Sequence, residues 1–300
     1  MKQEFFTIDD LRNWPKAMAP GEKPVRLGVI GDPVAHSLSP VIQNAGLEAA
    51  GVAARYARFH IHSSHLAESL TLAREQKFIG INLTLPHKVA AVPLLHKVDA
   101  NAAKIGAVNT VSFRDGTLMG DNTDGIGFAR AFAADFGIGL RGLRVLILGA
   151  GGAARALARQ CQIEDCRALS IVARSLAKAR RLAVDLSEES LEIEAADLRS
   201  LPALSENIDV IVNATPVGLA RGDTSLLSSE HLRRELMVFD TIPLDETPLL
   251  QAAKRAGARY CGGKEMLLQQ GAAAFALWFG RSAPLREMRA ALTEGDKVYG

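Results

Sequence analysis

The sequence predicts an α/β protein of two domains, on three observations. The chain has 300 residues, about twice the usual domain length. Strand-like apolar runs alternate with helix-like stretches twice over, once from residue 25 and again from residue 144. A glycine-rich turn stands between strand and helix at the opening of the second series.

The elements follow in order. Residues 1–24 read as a polar leader with a short helix at Ile8–Trp14, ending in the Pro/Gly-rich "APGEKP". Apolar runs at 25–30, 55–60 and 78–83 predict strands, with helices near 40–50 and 64–76 between them. That alternation implies a mainly parallel sheet. "NTVSFRDGTLMG" then predicts a hairpin turning on Asp115-Gly116. "DGIGFARAFAADFG" reads as a helix stopped by Gly137. In the second series, strands are expected at 144–148, 168–173, 208–212, 236–241 and 258–261, and from Lys264 the pattern is helical to the end. The apolar "AAAFALWFG" in that last part reads as a core-facing helix rather than a cofactor box. The expected domains are 25–125 and 126–263, with the helices of about 264–294 completing the first.

Composition excludes several classes of function. Hydrophobic residues make up 48% and charged residues 23%, the balance of a soluble globular protein. A formal charge of +2, with scattered Lys and Arg, gives no nucleic-acid footprint. No apolar run approaches the ~20 residues that span a bilayer, and the N-terminus has no signal core, so a cytoplasmic protein is expected. The three cysteines are read as reduced thiols. "HIHSSH" at 60–65 has no carboxylate or cysteine cluster beside it, and no metal is expected there.

"RVLILGAGGAARALARQ" joins a strand, a glycine turn and a helix without interruption. Gly149, Gly151 and Ala154 fit G-x-G-x-x-A, with Gly152 and Ala153 inside the same turn. This is the fingerprint of a Rossmann domain, in which the backbone approaches a pyrophosphate held at the helix N-terminus. The next strand ends in Arg174 and Ser175, followed by Lys178 and Arg181, where an NAD site would carry Asp or Glu. Cations there suit a 2′-phosphate and favour NADP, with Arg174 the first choice for the contact.

A second group of polar residues gathers at the strand ends of the first series. In "GDPVAHSLSP" the Ser39-Pro40 pair has the grammar of a helix start, with Ser39 as N-cap and Pro40 at N1. Ser37 and Ser39 would then stand at a positive helix end that can hold a carboxylate without an arginine; capping alone is the plain alternative for Ser39. In "NLTLPHK" the strand carries Asn82 and Thr84 and delivers His87 and Lys88 to its end. Ligands of open α/β sheets bind at such ends. Asp124, at a glycine-flanked junction into a helix, could hold the charge and direction of the Lys88 ammonium. Lys88 could then protonate a carbonyl oxygen as hydride reaches its carbon. Asn82, Thr84 and Asn109 suit ring hydroxyls, and His87 is expected to hydrogen-bond locally or face solvent.

These segments together resemble the shikimate dehydrogenase family. The resemblance rests on "GDPVAHSLSP", "GINLTLPHK", "GAVNTV", "GDNTDGIGF", "GAGGAAR", "VNATPVG" and "MLLQQGAAAFALW", in this order from about residue 25 to 292. It implies reduction of 3-dehydroshikimate to shikimate with NADPH, Lys88 and Asp124 as the catalytic pair, and Ser37 and Ser39 on the carboxylate. It also places Thr84, Asn109 and Gln270 around the ring hydroxyls, lines the cofactor with Asn213, Thr215 and Gly262, and folds the terminal helices back on the first domain. A homodimer is compatible with it. Three positions depart from the family pattern: Ile242 stands nearest a usual Tyr, Ala173 replaces an Asn, and Leu219 a Met. Alternatives are a quinate or other cyclitol-carboxylate dehydrogenase, a methylenetetrahydrofolate dehydrogenase of the same two-domain plan, and a catalytically silent NADP-binding module. The serine pair with Lys88 and Asp124 suits a small hydroxy acid better than a folate, and an intact Lys88 and Asp124 speak against the silent module.

Overall fold

The computed structural model describes residues 5–17, 22–187 and 191–299. The start of the Pro/Gly-rich link, residues 19–21, lies outside them. The chain divides into two compact units, residues 1–123 with 270–300, and residues 124–269.

In the first unit the leader forms α1 (Ile8–Arg12) and α2 (Trp14–Ala17). Thr7 and Asp10 close a capping box on α1: the Asp10 carboxylate accepts from the Thr7 amide at 2.7 Å, and the Thr7 hydroxyl oxygen accepts from the Asp10 amide at 3.5 Å. Then come β1 (Val25–Gly31), α3 (Ser39–Ala49), β2 (Arg55–His60), α4 (Leu66–Glu75), β3 (Gly80–Leu83) and the one-turn α5 (His87–Ala90). β4 (Lys97–Val98), α6 (Ala100–Ile105), β5 (Thr110–Arg114) and β6 (Thr117–Asp121) follow. Asp115 and Gly116, at φ 49° and 74°, make the hairpin turn between β5 and β6; two successive positive φ values are what such a two-residue turn needs.

The six strands pair in the order β2-β1-β3-β5-β6-β4. β1 is parallel to β2 and β3, β5 runs antiparallel to β3 and β6, and β4 lies parallel to β6. The sheet is mainly parallel, as expected: β5 alone is reversed, and the hairpin at Asp115-Gly116 returns β6 to the direction of the other strands. Register places Leu83 beside Ile30, and Asn82 opposite Thr110. The C-terminal ends of β1, β3 and β6 and the N-terminal end of β5 therefore share one edge of the sheet.

Leu11, Trp14, Ile30, Phe59, Phe78 and Ile81 form one core of this unit. Leu27, Val29, Leu47, Tyr56, Phe275 and Trp278 form the other. The leader joins the fold: the Phe6 amide donates to Arg58 O at 2.9 Å, and the His60 amide donates to Phe6 O at 2.8 Å. Phe6 stacks on the Phe59 ring, and Trp14 packs against it at a tilt.

The second unit holds α7 (Asp124–Phe136), β7 (Arg144–Leu148), α8 (Gly152–Ile163), β8 (Ala168–Ala173), α9 (Leu176–Asp185), β9 (Ile193–Asp197), α10 (Leu201–Ser205) and β10 (Val210–Asn213). β11 (Met237–Asp240), α11 (Pro248–Ala256) and β12 (Arg259–Cys261) complete its sheet. All pairings are parallel, in the order β12-β11-β10-β7-β8-β9, the doubly wound order of a Rossmann sheet. The order reverses between β7 and β10, which marks the end of the sheet where a dinucleotide belongs. α12 (Lys264–Phe279) crosses the boundary between the units, and α13 (Leu285–Tyr299) packs on α3. Gly46 of α3 makes room for Met288 of α13; a Cβ there would stand 3.2 Å from the Met288 sulfur. No described helix is long and apolar enough to cross a membrane.

Trp278 ties α12 to the first sheet. Its indole Nε1 donates to Val111 O at 3.2 Å, and the ring lies over Gly80, where a Cβ would run into the indole. Gly80→Ala is expected to destabilise the protein by about 2–3 kcal/mol, the usual cost of overpacking a core. Gly139→Ala, where a Cβ meets nothing within 4 Å, serves as the control. Urea denaturation with equal loss in both variants would refute this packing role.

Candidate functional site

At the shared edge of the first sheet, the loop after β1 carries Ser37 and Ser39. Ser39 is buried and is the first residue of α3, with Leu38 as the N-cap and no side-chain cap bond. The expected Ser39 cap is thus corrected: α3 begins at Ser39 itself, and Leu38 takes the cap position. Ser37, half-buried two residues earlier, accepts from the Ser39 amide through its hydroxyl oxygen at 3.3 Å. Burial holds the Tyr56 phenol well above the usual range, with the Ser39 hydrogen bond pulling the other way.

β3 ends at Leu83, and Thr84 and the cis Leu85-Pro86 bond lead into α5. His87 is fully buried, and its Nε2 lies 2.8 Å from Ile61 O. It neither faces solvent nor bonds within its own turn, because the turn folds the imidazole inward under the end of β2. Burial pushes its pKa down. Lys88 follows on the same turn, half-buried, and its carbonyl accepts from the Val108 amide at 2.8 Å.

Asn82 does not belong with the residues open to a ligand. Its Oδ1 accepts from the Tyr56 hydroxyl at 2.8 Å, and its Nδ2 donates to Asn109 O and Thr110 Oγ1, both at 3.1 Å. Asn109 is equally buried: its Oδ1 accepts from the Thr123 amide at 2.8 Å and the Thr110 hydroxyl at 2.9 Å. Its Nδ2 donates to Thr123 Oγ1 at 3.0 Å and reaches Gln270 Oε1 at 3.5 Å. Thr123 is thereby fixed, and the next residue, Asp124, opens α7, where an acidic side chain complements the helix dipole. Ser37, Ser39, Thr84, Lys88, Asn109 and Thr123 all lie at one edge of one sheet, with Gln270 joined to them through Asn109.

The histidines of "HIHSSH" have separate partners. His60 Nε2 stands 2.8 Å from Asp32, His62 Nδ1 2.9 Å from the Ser64 hydroxyl, and His65 Nδ1 3.3 Å from Glu68. Among the described residues no group of three or more His, Cys, Asp or Glu could hold a metal ion.

In the second unit the turn after β7 fits a dinucleotide. Gly149 has φ 115°, and a Cβ there would stand 2.9 Å from Ala214 O, so only glycine lets the two loops at the switch point meet. Gly151 is exposed at the N-cap of α8 with no side-chain cap and open space where a Cβ would be, and Gly152 and Ala153 form the first helical turn. Backbone amides at such a helix start suit a pyrophosphate. Arg174 is exposed at the end of β8, Ser175 caps α9 by accepting from the Lys178 amide at 3.4 Å, and Lys178 is exposed beside them. Arg181 is held at 2.8 Å by Asp185, on the helix face.

Asn213 spends its side chain inside the protein. Its Oδ1 accepts from the Thr215 amide at 3.0 Å and hydroxyl at 2.7 Å, and its Nδ2 donates to Val217 O at 3.1 Å and Asp240 Oδ1 at 3.0 Å. Asp240 is completely buried, accepting also from the Ile242 amide at 3.1 Å and the Thr247 hydroxyl at 2.7 Å. Burial pushes its carboxyl above the ordinary range, against those three donors. Asn213 thus shapes the loop through Thr215, and what that loop offers a ligand is backbone. Gly262 is a packing glycine, since a Cβ there would run into Leu244 O. Ile242 is buried in this unit, and Leu219 is exposed.

Sequence reasoning missed Tyr56, Arg58 and Asp240. Arg58 donates from Nε at 2.9 Å and Nη2 at 2.8 Å to Ser37 O. The signal was present in the two-residue period of β2, which aligns Tyr56, Arg58 and His60 on one face.

Comparison with known proteins accords with this geometry. Residues 29–111 match the shikimate dehydrogenase substrate binding domain, 132–242 the shikimate / quinate 5-dehydrogenase family, and 263–293 the shikimate 5′-dehydrogenase C-terminal domain. The shikimate dehydrogenase (NADP(+)) of Methanothrix thermoacetophila is 41% identical over 264 residues, covering 88% of this chain and 95% of that one. The crystal structure of shikimate dehydrogenase from Aquifex aeolicus is 36% identical, with a TM-score of 0.83 over 92% of this chain and 99% of that one. The shikimate 5-dehydrogenase of Thermus thermophilus, solved with NADP(H) and shikimate, is 36% identical, with a TM-score of 0.79 over 90% of this chain and 99% of that one. A substrate-type sheet with its polar edge, a Rossmann sheet with its glycine turn, and relatives similar over nearly their whole length together place this chain in the shikimate dehydrogenase family.

Proposed function

We propose that the chain is an NADP-dependent oxidoreductase that interconverts 3-dehydroshikimate and shikimate. The observation that carries this is the gathering of Ser37, Ser39, Thr84, Lys88 and Asn109 at one edge of a sheet, in a chain about 40% identical to curated NADP(+) shikimate dehydrogenases. In this reading Ser37 and Ser39, before and at the start of α3, hold the ring carboxylate. Asn109, Thr84 and Gln270 receive the ring hydroxyls. The α8 N-terminus with Gly149, Gly151, Gly152 and Ala153 holds the pyrophosphate, and Arg174, Ser175 and Lys178 the 2′-phosphate. The loop of Asn213 and Thr215, with Gly262, borders the rest of the cofactor.

Bound NADPH supplies the hydride. Lys88 gives a proton to the carbonyl oxygen as the carbon is reduced, and takes it back from the hydroxyl in the oxidative direction. Asp124 orients the ammonium and contacts the same hydroxyl. The test is oxidation of shikimate with NADP⁺, run beside quinate and NAD⁺ and followed by formation of reduced nicotinamide. Turnover of quinate but not shikimate would assign the neighbouring specificity, and turnover of neither would refute the reading.

Lys88→Ala is expected to lower kcat by about 10²–10⁴-fold, the range of general acid–base catalysis, while leaving NADP⁺ binding intact. Near-normal kcat would make the lysine a bystander. Arg174→Asp should raise the KM for NADP⁺ by about 10–100-fold, the loss expected of hydrogen bonds to a charged group. The KM for NAD⁺ should change little, and equal losses with both cofactors would refute the 2′-phosphate contact.

A further inference from the structure

The loop that carries Ser37 and Ser39 is braced from one strand. Arg58 and His60 lie on one face of β2, and both reach it: His60 to Asp32, and Arg58 to Ser37 O. Two guanidinium N–H groups converge on one carbonyl, with the Ser37 amide already turned back to Val34 O at 3.0 Å. The Ser37 hydroxyl oxygen accepts from the Ser39 amide, so its proton is set to be donated.

We propose that Arg58 is a specificity-determining residue that makes this seat select an anionic group. It fixes the Ser37 backbone, and through it the direction of the Ser37 hydroxyl, and it puts a positive charge behind that hydroxyl without touching the substrate. The proposal rests on the reading of Ser37 and Ser39 as the carboxylate seat. By bond lengths alone the charge lies roughly 6–8 Å from whatever Ser37 binds, close enough at the effective dielectric of a cleft to change affinity several-fold.

The experiment compares shikimate with its methyl ester, which keeps the ring and hydroxyls but loses the charge. Wild-type protein, Arg58→Met and Arg58→Lys are assayed with NADP⁺ for kcat/KM on both compounds. The preference for the acid over the ester should fall about 5–10-fold in Arg58→Met, mainly through KM, with kcat and the KM for NADP⁺ within about threefold. Arg58→Lys should retain most of the preference, and the wild-type preference should shrink as salt rises. Equal losses on acid and ester would make Arg58 a structural brace and overturn the proposal, as would an unchanged preference. Should Arg58→Met fail to fold, Arg58→Lys and the salt series decide: a lost preference in the former or a salt-independent one overturns it. A wild-type protein that turns over neither compound overturns the seat itself, and the proposal with it.

Discussion

One buried amide sets the polarity of the first unit. Asn82 is 6% exposed in the middle of a sheet, where an unpaired amide would cost about 1–3 kcal/mol for each group left unmade. Its Nδ2 meets two acceptors that cannot exchange roles with it, the Asn109 carbonyl and the Thr110 oxygen, the latter donating onward to Asn109 Oδ1. Oδ1 must therefore accept, and Tyr56 must donate to it. At the other end Asn109 holds Thr123 and with it the start of α7. A continuous chain of hydrogen bonds thus runs from Tyr56 through Asn82 and Thr110 to Asn109, one of the groups proposed for ring hydroxyls. Such a chain is costly if any member is missing and stiff when all are present.

The second unit uses the same device with a carboxylate. Asp240 at the end of β11 collects one side chain, one amide and one hydroxyl, and Asn213 at the end of β10 passes that constraint to Thr215. Thr247 serves twice, donating to Asp240 and accepting from the Leu250 amide as the N-cap of α11. The loops at the switch point of the sheet are therefore fixed by buried polar groups, while the glycines decide how closely those loops approach each other.

The fold was largely legible because the two periodic series are strong. Strands at 55–60, 144–148 and 168–173 coincide with β2, β7 and β8. β9 was missed: Ile193–Asp197 reads Ile-Glu-Ala-Ala-Asp, an edge strand with one bulky apolar residue. β4, two residues long, carries no period at all. The mainly parallel first sheet agrees with its alternating series, and the one reversed strand, β5, belongs to the hairpin legible at Asp115-Gly116. At the site, residue types pointed to the right neighbourhood, yet pairing could not be read from type. Asn82 and Asn213 look like ligand-binding amides in sequence, and the register with Thr110 and Asp240 turns them inward. Ser39 before Pro40 looks like a cap, yet α3 begins at Ser39 itself with Leu38 at the cap position. Arg58 was passed over because nothing within its own segment shows that Ser37 lies across from it.

The central claim is that the chain from Tyr56 to Asn109 acts as one unit. A double-mutant cycle on shikimate affinity tests it most directly, using Tyr56→Phe and Thr110→Val, two residues joined only through Asn82 in this chain. The account predicts that the double mutant departs from additivity by about 0.5–3 kcal/mol, the coupling found within a shared network. Losses that simply add, within about 0.3–0.5 kcal/mol, would contradict it and leave two independent local contacts.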